Sequence, residues 1–187
     1  MTKVIASEFV SLDGVIENPV WTFRFTGEEQ QRSKSDELSA ANALLLGRVT
    51  YEGFAAAWPH MTEQAGEYAD MMNGYPKYVV STTLDEPLGW NNSTLIKGDV
   101  AEQVSELNRQ PGGNILIFGS GSLVNELMRL DLIDEYRLMV FPVVLGSGQR
   151  LFGNSVEETV LELVGTETFD TGVVVLTYRP AEKKAEE

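Results

Sequence analysis

The stretch GGNILIFGSGSLVNELMRLDL, Gly112 to Leu132, constrains the fold more than any other part of the chain. Ile115 to Phe118 is a short continuous apolar run, which suits a strand buried on both faces. A glycine-serine turn follows, and then Leu123, Leu127 and Leu130 recur at helical spacing. The same order appears in ALLLGRVTYEGFAAAW, where Gly47 separates an apolar run from a helical pattern that stops at Pro59, and in STLIKGDVAEQVSELNR. Strands that alternate with helices need crossover connections, so the chain is expected to be an α/β protein. The expectation is three layers: a mixed, mostly parallel central sheet with helices on both faces.

The flanking segments complete this outline. KVIASEFVSLDG is a β-favouring run ending in an Asp-Gly turn, and Glu17 to Phe25 has no clean periodicity and is expected to be a loop. In TGEEQQRSKSDELSAANA, Thr26 suits a helix cap and Glu28 and Glu29 its first turn. KYVVSTTL, Lys77 to Leu84, is a strand ending in hydroxyl residues. Near the C-terminus, TVLELVGTETF and VVVLTYRP are joined through Asp170, Thr171 and Gly172, a hairpin expected to add antiparallel edge strands. The pattern gives one domain over 1–180 and a charged, disordered tail over 181–187.

Composition narrows the chemistry. The 187 residues carry 28 Asp and Glu against 14 Lys and Arg, a formal net charge of -14. Such a surface repels phosphate backbones and anionic lipid, so neither nucleic acid nor membrane is expected as a partner. There is no cysteine, hence no thiolate nucleophile and no thiolate metal site, and no metal is expected. Glu8 interrupts the apolar N-terminal run and no later stretch approaches the roughly 20 apolar residues of a membrane span, which reads as cytoplasmic.

The few cations therefore matter. A helix's first turn leaves N–H groups unpaired and partly positive, so a glycine that admits an anion there makes a phosphate seat. Gly47 with Arg48, and Gly119, Ser120 and Gly121 before a helix near Ser122, both fit, and together they could hold the two ends of a dinucleotide. GSGSLV lacks the third glycine of the Rossmann fingerprint and the lysine of a P-loop, and a glycine can equally serve only to permit a tight turn.

SLDGVI, LLLGRVTYE, KYVVSTTL, ILIFGSGSLVNELM and LIDEYRLMVFPVVLGSGQRLF occur in the order and with roughly the spacing of the dihydrofolate reductase-like family. The chain most resembles the branch typified by the C-terminal reductase domain of the bifunctional riboflavin-biosynthesis deaminase/reductase, over nearly its whole length. That resemblance implies a homodimeric reductase passing a hydride from NADPH to a small heterocycle, pterin-like or ribosylaminopyrimidine-like. The alternatives are a cofactor-binding protein of this fold without turnover and a true dihydrofolate reductase. By position, the resemblance places the cofactor against Gly47, Arg48, Thr50, Gly119, Ser120, Gly121, Ser122 and Leu123, with Ser81, Thr82 and Thr83 at its 2′-phosphate. It places the substrate against Ser7, Phe9, Trp21, Glu28, Val140, Phe141 and Pro142. Asp13, in SLDG, is the carboxylate expected to position substrate or relay a proton, although an Asp-Gly pair is also a turn.

Other conspicuous residues have plainer readings. His60 follows Trp58 and Pro59 at a helix end and suits a surface position. Met71, Met72 and Tyr75 suit packing beneath a long connection or a pocket lid, and Arg150 lies in a third Gly-Ser turn. Glu8 in an apolar strand points to a pocket or a subunit interface.

Overall fold

The computed structural model describes residues 2–153 and 157–181. In chain order its elements are β1 (Val4–Ser11), α1 (Glu28–Ser39), β2 (Ala41–Gly47), α2 (Arg48–Ala57), α3 (Thr62–Gly74), β3 (Lys77–Val80) and β4 (Ser93–Ile96). Then follow α4 (Val100–Arg109), β5 (Asn114–Phe118), α5 (Gly121–Arg129), β6 (Glu135–Phe141), β7 (Leu161–Thr168) and β8 (Val174–Pro180). One eight-stranded sheet runs β4-β3-β2-β5-β1-β6-β8-β7. Its first six strands are mutually parallel, and only β8 runs against the rest.

The three strand-turn-helix units form as their patterns predict, because each buried strand has helices to cover it. Leu123, Val124 and Leu127 of α5 and Val104 of α4 pack on Val4, Ala6, Leu45 and Ile117 on one face. Leu38 of α1, Tyr51 of α2 and Met72 of α3 pack on Ile5, Leu44, Leu46 and Leu116 on the other. Phe141, Phe169, Val173 and Val175 form a third cluster under Phe9, Trp21 and Phe25.

Four expectations are corrected. Helix α1 starts one residue later than a Thr26 cap requires: Gly27 is the N-cap, in extended conformation, and no side chain caps it. The strand from Lys77 stops at Val80, because the Ser81 hydroxyl accepts from the N–H groups of Thr83 and Leu84 and closes a turn. The C-terminal hairpin forms, but only β7 is an edge; β8 lies between β6 and β7. Met71 and Met72 lie on a helix rather than under a loop, and Met72 is fully buried. Gly66, at φ 50, kinks α3 and interrupts its periodicity. Residues 182–187 of the expected tail lie outside the described residues.

Among the described residues one cation is wholly interior. Lys77, 0% exposed, donates to the carbonyls of Asn73, Tyr75 and Asn91 at 2.7–3.0 Å and stands 4.4 Å over the Trp90 ring. It ties the end of α3, the start of β3 and the segment before β4 into one unit.

Candidate active site

Because β2 and β5 are parallel neighbours, the helices that follow them begin side by side. Gly119 and Ser120 lead into α5 with φ 60 and φ 61, left-handed conformations that glycine adopts freely and serine does not. They bring Ser120 Oγ to 2.9 Å from the Gly47 N–H, which donates to it, and to 2.8 Å from Thr50 Oγ1. A Cβ on Gly47 would stand 2.6 Å from Ser120 Oγ, and one on Gly119 2.7 Å from Thr50 Oγ1, so both glycines are required by close approach.

Neither α2 nor α5 carries a side-chain cap. The positive ends of two helices therefore converge with only a pair of hydroxyls between them. Arg48 opens α2, where a cation opposes the helix dipole, and its guanidinium turns to Glu52 at 2.9 Å with both side chains about half exposed. An anion at this junction would find unspent N–H groups, two helix ends and a guanidinium. The donor set fits the phosphates of a dinucleotide.

Beside the junction, α1 crosses β1 and β6 and leaves a cavity of about 310 Å³. Ser7 of β1, Ser33, Lys34, Asp36 and Glu37 of α1, Ala40 just past it, Arg137 and Met139 of β6, Glu167 of β7 and Val175 of β8 line it. Lys34 Nζ donates to Ser7 Oγ at 2.7 Å, pairs with Glu37, and sits 5.3 Å over the Phe9 ring and 4.7 Å over that of Phe118, the residue before Gly119. Ser7 Oγ in turn donates to Glu37 Oε2 at 2.8 Å. Arg137 reaches Glu37 Oε1 at 3.4 Å and Glu135 Oε1 at 2.7 Å. Burial pushes the Glu37 carboxyl up, but Lys34, Ser7 and Arg137 together outweigh it and hold Glu37 below its usual range.

Glu8 has the opposite balance. It is 2% exposed, its Oε1 has no hydrogen-bond partner, and burial raises it well above the usual carboxylate range despite Lys34 and the Gly119 backbone. The strand therefore holds, next to the turn that opens α5, an acid whose ionised form burial disfavours.

Asp13 is committed elsewhere. Its carboxylate accepts from Ser11 Oγ at 2.7 Å and from the N–H groups of Leu145 and Gly146 at 3.1 and 2.8 Å, and these bonds, Ser11 first, lower it to about 2. The geometry makes Asp13 a clamp of the loop after β6. Arg150 Nε donates to the Asp13 carbonyl at 2.8 Å and closes the same loop.

Of the residues the resemblance places at the substrate, Ser7 lines the cavity and Phe9 stacks beside Lys34. Glu28 does not line it: it stands exposed on the first turn of α1, about 9 Å along the axis from Lys34 at the usual rise per residue. Val140 packs into the cluster on the other face of the sheet, because side chains alternate along β6, and Arg137 and Met139 are the pair that face the cavity. Phe141 is fully buried, with Phe9 and Trp21 each 5.4 Å from its ring, so both it and Trp21 support the wall from behind. Pro142 is exposed just past the strand. On the cofactor side the Ser81 hydroxyl oxygen accepts the two N–H groups of its turn and Thr82 and Thr83 are exposed, whereas Ser122 is exposed and Leu123 is core. Lys34, Glu37, Arg137 and Met139 went unrecognised. The available signal was α1 itself, a helix whose buried residues are Gln30, Glu37 and Leu38, with no apolar face to explain its place on the sheet.

The family model described as the RibD C-terminal domain matches residues 2–175. YyaP of Bacillus subtilis (strain 168), itself uncharacterised, is 30% identical over 178 residues, covering 94% of this chain and 94% of YyaP. Among solved structures, a putative riboflavin biosynthesis protein from Shewanella sp. PV-4 superposes with a TM-score of 0.77 at 24% identity, over 97% of this chain and 100% of that one. Dihydrofolate reductase from Enterococcus faecalis, complexed with NADP(H), superposes with a TM-score of 0.61 at 18% identity, over 96% and 97%. The two superpositions establish the fold.

Proposed function

The chain belongs to the RibD C-terminal domain family, and from that premise we propose that it is a reductase which uses NADPH to reduce a small pterin-like or ribosylaminopyrimidine-like heterocycle. The observation that carries this reading is the meeting of two uncapped helix N-termini at Gly47 and Ser120 beside a polar cavity. Gly47, Arg48, Thr50 and the Gly119–Gly121 turn would hold the phosphates of NADPH, and Thr82 and Thr83, exposed after β3, would meet its 2′-phosphate. When bound, the cofactor supplies the hydride.

The chain's own residues orient and neutralise. Ser7 presents a hydroxyl oxygen and Lys34 an ammonium to the substrate's ring, and Lys34 Nζ is the acid within reach of a ring nitrogen that gains a proton. Glu37 and Arg137 hold Lys34 and Ser7 in place, while Met139 and Val175 give the ring an apolar wall. Asp13 fixes the loop after β6 that closes over β1. We propose a homodimer as well, since Val160, Leu163 and Val164 on and beside edge strand β7 are 68%, 51% and 42% exposed. Loss of nicotinamide absorbance that depends on a dihydropterin or a ribosylaminopyrimidine tests the reductase reading. Binding of NADPH with no turnover on either class would instead make this a cofactor-binding protein of the same fold.

A further inference from the structure

The charge of the cavity sets which heterocycle it accepts. Two cations face it, Lys34 and Arg137, and three carboxylates, Asp36, Glu37 and Glu167. Both cations are already neutralised by buried acids: Lys34 by Glu37, and Arg137 by Glu37 and Glu135. Lys34 further spends its ammonium on Ser7 and on two aromatic faces. Glu135 draws in Lys3 and Arg179 as well, at 3.1 and 3.2 Å, and neither of these cations lines the cavity.

What remains uncompensated is negative. Among the described residues neither Asp36 nor Glu167 has a cationic partner; Glu167 accepts only a hydroxyl, Ser33 Oγ, at 3.0 Å. A phosphomonoester carries close to two negative charges at neutral pH and is received by arginine, lysine or the free N–H groups of a helix N-terminus, and no helix N-terminus among the described residues lines this cavity. Here it would face three carboxylates and could gain a cation only by stripping one from Glu37 or Glu135, which would leave a buried carboxylate unpaired. Exocyclic amino groups have the opposite fit, because two acceptor-only carboxylates stand open to their N–H donors.

We infer that this cavity takes an unphosphorylated amino-substituted heterocycle, uncharged or cationic, and rejects its phosphorylated form, with Asp36 and Glu167 deciding the discrimination. The inference rests on the cavity being the substrate site of the reductase proposed above. It departs from the phosphoribosyl substrate that the resemblance to the riboflavin-pathway reductase domain suggests.

The test uses a matched pair of probes, 5-amino-6-ribosylaminouracil and its 5′-phosphate, titrated by calorimetry into the purified full-length protein with and without NADPH. The expected result is that the unphosphorylated probe binds at least tenfold more tightly, and that Asp36→Asn combined with Glu167→Gln removes most of that gap. Equal or tighter binding of the phosphate overturns the inference, and so does a tenfold preference that survives the double substitution. Failure of both probes to bind overturns it too, since the cavity then accepts no amino-heterocycle of this class. The reductase reading fails separately: a probe preference as expected, with no binding of NADPH, would sink that reading and leave the chemistry of the cavity standing.

Discussion

Glu8→Gln isolates the buried acid in β1. Glu8 keeps its proton in the folded protein well above the pH at which it ionises in the unfolded chain, near 4.5. Below that pH both states hold the proton and folding is indifferent to it. As pH rises, the unfolded chain releases the proton and the folded chain retains it, so stability falls by about 1.4 kcal/mol per pH unit until the folded group ionises. The substitution removes that slope because an amide does not titrate. It also places an amide where Oε1 now has no partner, an offset of about 1–3 kcal/mol if an N–H is left unsatisfied, and that offset does not change with pH. The diagnostic quantity is therefore the divergence and not the absolute difference. Urea unfolding of both proteins from pH 4.5 to 7.5 reads it directly, and the variant should gain on the wild type as pH rises, with a slope of at most about 1.4 kcal/mol per unit that ends where the folded group ionises. Parallel profiles would refute the reasoning: Glu8 would then be ionised in the fold, with Lys34 as its counter-ion.

Four further outcomes follow from contacts in the structure. Gly47→Ala sets a methyl 2.6 Å from Ser120 Oγ and should destabilise by about 1–3 kcal/mol, with NADPH affinity falling at least tenfold by the same titration. Arg48→Ala should leave the melting temperature within error, since Arg48 is exposed and among the described residues pairs only with Glu52, but weaken NADPH binding by about 1–2 kcal/mol, the scale of a charge-assisted bond shared with a competitor. Asp13→Asn should raise KM by loosening the loop after β6 while leaving the pH profile of kcat unmoved; loss of a limb of that profile would restore Asp13 as a proton donor. Lys77→Met strands three carbonyls and should destabilise by about 3 kcal/mol, a fall of roughly 6–12 °C in Tm, without altering NADPH affinity.

The layered architecture was legible because its signal is local: each buried strand, glycine turn and amphipathic helix is contiguous, so Gly47 and Gly119 announced their roles within a dozen residues. The contact between them was not, since Ser120 Oγ meets the Gly47 N–H across 73 positions. Met72 and α3 were hidden by the kink at Gly66, and β8 was mistaken for an edge because pattern alone does not say which partner a hairpin arm takes. Residues around the cavity were the hardest. Lys34 and Glu37 look like an ordinary surface i,i+3 pair until Ser7 from β1 and Arg137 from β6 enclose them. Glu28 suits a helix's first turn and stands there, away from the cavity, and the motif that holds Asp13 clamps the loop after β6.

The central claim is that the junction of α2 and α5 is a seat for a phosphorylated nicotinamide cofactor. Titration of the purified protein with NADPH and NADH, followed by nicotinamide fluorescence, tests it most directly. The predicted result is saturable binding of NADPH, tighter than NADH, that weakens in Gly47→Ala and Arg48→Ala. Absence of binding to either nucleotide, or binding indifferent to both substitutions, would contradict it.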